Sequence, residues 1–156
     1  MLFRSCSRLR PQVLDDLGLI AGLSVHLKHF GNRTGLAIDF EHGAIDERRL
    51  TPIVQSVIFR VIQEAVTNVA RHAQAQKARV RIGMDGNDLL FTIDDDGRGF
   101  DAHAVREVPS TGLSSMAERV LLVNGVCEIA SEPGRGASIK SRIPLSPGND
   151  TPCTTS

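Results

Sequence analysis

The chain has 156 residues, 41% hydrophobic and 23% charged, with 18 basic against 18 acidic side chains. That length suits one domain with a sizeable core, and a net charge of zero excludes a general basic surface for nucleic acid or a polybasic membrane patch. Cys6, Cys127 and Cys153 are too few and too scattered for a disulfide ladder or a metal clamp, no apolar run reaches the length of a membrane span, and the first residues lack the apolar core of a signal peptide. These features predict plain thiols in a reducing cytoplasm, with any sensor or membrane anchor outside this sequence.

In chain order, Val13, Leu17, Ile20, Leu23, Leu27 and Phe30 recur at spacings of four and three, which predicts one amphipathic helix over 9–30 whose stripe seeks a partner. Gly18 and Gly22 each cost that helix about 1 kcal/mol relative to alanine, so packing must supply its order. A strand follows near 35–42. Ile53, Val54, Val57, Ile58, Val61, Ile62, Ala65, Val66 and Val69 predict a long helix over 52–73. Strands are expected at 77–84 and 88–95, joined by the Asp85-Gly86-Asn87 turn, then a polar lid from Phe100 to Thr111 and a helix over 113–124. Strands at 126–131 and 137–143 flank the turn Glu132-Pro-Gly-Arg-Gly136. Strands and helices do not alternate strictly, so the fold class is α+β: a two-layer α/β sandwich with a mixed, mostly antiparallel sheet covered by helices on one face. The residues from Ser146 onward read as a disordered tail.

Three segments carry the chemistry. On the long helix, Glu64, Asn68, Arg71 and His72 fall within about a third of the circumference and border the apolar stripe. An Asn carbonyl suits a hard Mg²⁺ ion already carrying phosphate oxygens, and a carboxylate one turn earlier can orient a water or accept a proton. Next, Leu89, Phe91 and Ile93 mark the buried face of a strand that Asp95 continues; a carboxylate there needs a donor, and an adenine amino group is a suitable one. Gly97 and Gly99 allow backbone to approach a ligand closely. Third, Thr111-Gly112-Leu113 opens a helix whose free N–H groups suit phosphate. Read singly, each segment fits a bland alternative equally well: a solvated helix edge, an acidic turn, a surface loop. No His, Cys or carboxylate set has metal-ligand spacing, Asp39-Phe40-Glu41-His42 included, and Ser114 and Ser115 lack a hydrolase context.

Taken together, Glu64-x-x-x-Asn68-x-x-Arg71-His72-Ala73, Asp95-x-Gly97-x-Gly99 and Gly112-Leu113-x-x-Met116-x-Glu118-Arg119 resemble the N box and two glycine boxes of the catalytic, ATP-binding domain of two-component sensor histidine kinases, in the Bergerat-fold (GHKL) ATPase superfamily. With Leu9-Arg10-Pro11 and Leu14-Asp15-Asp16-Leu17-Gly18-Leu19, the form is similar to the nitrate-sensor-like subfamily. The resemblance implies a kinase that binds Mg²⁺-ATP and passes the γ-phosphate to a histidine for relay to a response-regulator aspartate. It implies Glu64 and Asn68 as catalytic, Asn68 as the Mg²⁺ ligand, and Arg71, His72, Asp95, Gly97, Gly99, Thr111, Gly112 and Leu113 around the nucleotide. Ala137 stands where many relatives carry threonine, with Ser138 as a partial replacement. The implied organisation is 1–31 as the end of a dimerisation region, 32–145 as the catalytic domain and 146–156 as tail. The phosphoacceptor helix is expected to be missing, neither His26 nor His29 having the right context. Partners would be ATP, a response regulator, a kinase's dimerisation helices and, through the N-terminal helix, a second copy. The alternatives are a nucleotide-binding regulatory module without kinase activity, or an anti-sigma-type serine kinase.

Overall fold

In the computed structural model, described for residues 11–99 and 112–145, the N-terminal helix is broken. α1 (Gln12–Leu17) and α2 (Leu19–Thr34) meet at Gly18, whose φ of 82° lies in the left-handed region that favours glycine. The break shifts the apolar register: Leu17, expected in the stripe, is 48% exposed, while Leu14 and Leu19 are buried. The Ile20 N–H at the start of α2 donates to Glu47 Oε1 at 2.7 Å, so a carboxylate from a 3-10 turn (Glu47–Arg49) caps a helix that precedes it in sequence by 27 residues. Leu19, Leu23, Leu27 and Phe30 then join the same core as the elements that follow. The stripe finds its partners within this chain.

β1 (Ala37–His42) leads through that turn to α3 (Pro52–His72), which begins with Pro52 and a Thr51 hydroxyl that accepts the Val54 N–H at 3.2 Å. Buried residues cover about half the helix circumference, because α3 is packed by the sheet, by α2 and by α4 (Gly112–Leu121). Ile53, expected in its stripe, is 66% exposed. β2 (Lys77–Asp85), β3 (Asp88–Asp95), β4 (Val126–Ser131) and β5 (Ala137–Pro144) complete a five-stranded sheet in the order β1-β2-β3-β5-β4. β1 and β2 run parallel across the α3 crossover and every other pair is antiparallel. Strict alternation in β2 and β3 puts Ala78, Val80, Ile82, Leu89, Phe91 and Ile93 on one buried face and turns ion pairs such as Lys77–Asp39 and Arg81–Asp94 to solvent. This is the expected α+β two-layer arrangement. The expected lid and tail fall outside the described residues.

Candidate functional site

The site lies where β3 leaves the sheet beside the end of α3. Asp95 continues the face of Leu89, Phe91 and Ile93 and is half-buried. Its Oδ1 accepts the Gly97 N–H at 2.8 Å. Burial pushes its pKa up from the ordinary carboxylate value, against hydrogen bonds from the Gly97 and Ala137 amides. A carboxylate has about four lone-pair positions, so two amides leave room for a further donor.

The glycines are placed by close approach. At Gly97 a Cβ would come 2.7 Å from the Ala73 methyl, and at Gly99, with φ of 65°, it would strike the Glu132 carbonyl. At Gly136 it would strike the Asp95 carbonyl. The turn is therefore wedged between the C-terminus of α3 and the β4–β5 hairpin. The Arg98 N–H donates to Ala73 O at 2.7 Å, and its Nε to His72 O at 2.8 Å, satisfying carbonyls that the helix end leaves open. Asp96 Oδ1 accepts the Gln76 and Lys77 N–H groups, both at 2.9 Å; these bonds, that from Lys77 foremost, hold its carboxyl below the usual range. Asp96 and Arg98 were not singled out by sequence reasoning. Their partners lie about 20 to 26 residues away, and the run of three aspartates carries no local sign of which one staples the backbone.

Glu64 and Asn68 sit one turn apart on α3, half-buried, and neither side chain bonds to another described residue. Neither has a polar atom that is buried without a partner, so both are open to solvent or to a ligand beside the helix. His72 and Arg71 are exposed in the last turn. On the helical wheel Arg71 lies roughly 40° from Thr67 and 60° from Asn68, and it lines a cleft between α2 and α3. Gly112 opens α4, which lies alongside α3; Leu113 packs against the core, and Met116 and Val120 are fully buried. Thr111 lies outside the described residues. Ser138 is not gathered with the rest: its hydroxyl donates to Asp94 Oδ1 at 2.6 Å. Asp94 and Ser138 are register partners, so both face away from Asp95, and Ala137 occupies the position across from it.

Residues 53–147 match the family model described as histidine kinase-, DNA gyrase B- and HSP90-like ATPase. The chain belongs to this ATPase family. As a member of it, the chain is 34% identical over 139 residues to the sensor histidine kinase LiaS of Bacillus subtilis, covering 89% of this chain and 38% of that protein. It is 38% identical over 137 residues to the signal transduction histidine-protein kinase/phosphatase DegS of Brevibacillus brevis, covering 88% and 35%. The chain thus spans a little over a third of the length of these curated relatives. Among solved structures, the histidine kinase domain of the blue-light activated histidine kinase of Erythrobacter litoralis superposes with a TM-score of 0.70 at 21% identity, covering 86% of this chain and 69% of that one. The Acinetobacter baumannii histidine kinase AdeS gives 0.63 at 14% identity, covering 82% and 64%. These two share the ATPase fold. No described helix is long and apolar enough to cross a membrane, and no described group of three His, Cys, Asp or Glu is placed to hold a metal.

Proposed function

We propose that the chain is the ATP-binding catalytic module of a sensor histidine kinase. The observation that carries this reading is the wedge at Gly97: a half-buried carboxylate, two glycine close approaches and the end of the Asn68 helix converge at one place in an ATPase-family fold. Asp95 retains acceptor capacity for the adenine amino group, and Gly97 and Gly99 let the turn that follows it pack directly on the end of α3 and the β4–β5 hairpin. The Asn68 amide, without a described partner, would hold Mg²⁺, whose role when bound is to neutralise phosphate charge. Arg71 and His72 would face the phosphates, as would the N–H groups of Gly112 and Leu113 at the start of α4. Glu64 would orient the attacking imidazole or take its proton.

In the proposed reaction an imidazole nitrogen of the acceptor histidine forms a bond to the γ-phosphorus, the bond to the β–γ bridging oxygen breaks, and ADP leaves. The protein's part is positioning and charge neutralisation. A response-regulator aspartate would then receive the phosphoryl group. Mixing the chain with a kinase dimerisation hairpin, a response regulator and γ-labelled ATP tests this: label on the hairpin histidine, lost in Asn68→Ala, is expected. ATP binding without transfer in the presence of a competent hairpin would instead favour a regulatory nucleotide-binding module.

A further inference from the structure

Arg98 sits between two clamped glycines. A Cβ on Gly97 would strike the Ala73 carbonyl at the end of α3, and one on Gly99 would strike the Glu132 carbonyl of the β4–β5 hairpin. The Arg98 backbone bonds in both directions, its N–H donating to Ala73 O at 2.7 Å and its carbonyl accepting the Gly134 N–H at 2.6 Å. The side chain then turns back over the helix end, where Nε donates to the His72 carbonyl at 2.8 Å. Arginines elsewhere in the fold turn to acids: Arg48 to Asp46, Arg81 to Asp94, Arg142 to Asp85. Arg98 instead brings its charge to a backbone carbonyl 26 residues away.

A basic side chain on the last carbonyls of a helix ordinarily offsets the dipole and adds stability, nothing more. The place of this one argues for a second role. α3 is 21 residues long and its last turn carries Arg71 and His72, the side chains proposed to face the phosphates. Open carbonyls at the negative end of that helix would repel a polyanion beside them. Arg98 covers the carbonyls of His72 and Ala73 with two donors, one of them charged. The turn that carries it starts at Asp95, whose Oδ1 holds the Gly97 N–H at 2.8 Å, so the segment from Asp95 to Arg98 is a short strut between that carboxylate and the end of α3. We infer, resting on the ATP-binding reading, that Arg98 is a positioning residue for the triphosphate. Acting through the His72 carbonyl, it fixes the last turn of α3 relative to Asp95 and keeps that helix end from repelling phosphate.

The test compares two ligands on the full chain. Adenosine, followed through the Gly97 amide signal, reads the base contact alone; a non-hydrolysable ATP analogue with Mg²⁺, followed by calorimetry, reads base and phosphates together. Arg98→Ala should weaken the analogue by about tenfold, the order of one charge-assisted hydrogen bond, and leave adenosine affinity within about twofold of wild type. Arg98→Lys, which restores a cation without the planar fork, should recover part of the loss. Equal losses for both ligands would reduce Arg98 to a staple of the fold and overturn the inference, as would an analogue affinity unchanged in Arg98→Ala. If Arg98→Ala does not fold, Arg98→Lys carries the same comparison, with a loss for the analogue alone expected and equal or absent losses overturning the role. A wild-type chain that binds neither ligand refutes the ATP reading and this role with it, whereas wild-type binding with indifferent variants refutes the role alone.

Discussion

Asp95→Asn should separate the cost of the site from its use. The isosteric amide keeps an oxygen for the Gly97 N–H, which the carboxylate accepts at 2.8 Å, and removes the charge. Because burial raises the Asp95 pKa, the native state disfavours the ionised form: this group's stability is greatest at low pH and falls as pH rises through its folded-state value. At pH 7 the neutral Asn avoids that penalty, so the nucleotide-free variant should melt at or above the wild-type temperature. Binding should move the other way. A hydrogen bond to a charged acceptor contributes about 1.5–3 kcal/mol, so calorimetry should show ATP affinity reduced by about ten- to a hundredfold. Inosine triphosphate, which lacks the adenine amino group, should bind wild type and variant within about threefold of each other, since the coupling in a double-mutant cycle reports only the shared contact. Equal losses for both nucleotides would refute the adenine contact. A variant melting well below wild type would refute the charge-burial argument.

Three further outcomes follow from the packing. Gly97→Ala places a methyl 2.7 Å from that of Ala73 and should cost about 1–3 kcal/mol in chemical denaturation; unchanged stability would mean the turn does not rest on α3. Leu23→Ala, at a fully buried site, should cost about 2–5 kcal/mol, whereas Leu17→Ala, 48% exposed, should cost under about 1 kcal/mol. Equal urea midpoints for the two would separate α2 from the core. His26 stacks near Phe30 and Phe59 with its Nε2 buried and unbonded. Burial first, then Arg33, Arg60 and His29, lowers its pKa from 6.5, so the unfolded chain takes up a proton that the native state refuses. Stability should therefore hold above pH 6.5 and decline as pH falls below it, and His26→Phe should flatten that decline in urea midpoints measured across the range.

The sequence by itself determined the elements whose signal is local. The 3.6-residue recurrence of α3, the alternation of β2 and β3, and the turn at Asp85-Gly86-Asn87 are consequences of side-chain period and backbone sterics within a few residues, and the structure places α3 at Pro52–His72 and β3 at Asp88–Asp95. The order of the three motifs was equally legible, and it pointed to the ATPase family that residues 53–147 match. Tertiary structure alone decided what depends on distant partners. Glu47 caps α2 across 27 residues and fixes the break at Gly18, which no periodicity reveals because the cap is a side chain from another element. Strand register turns Ser138 to Asp94 and leaves Ala137 beside Asp95. Arg98 reaches the end of α3 only because the sheet carries β3 there, and Arg33 and Arg71 share a cleft only because two helix ends converge. Short-range periodicity specifies elements; the meeting of side chains such as Ser138 and Asp94, 44 residues apart, is set by how the elements pack around their shared core.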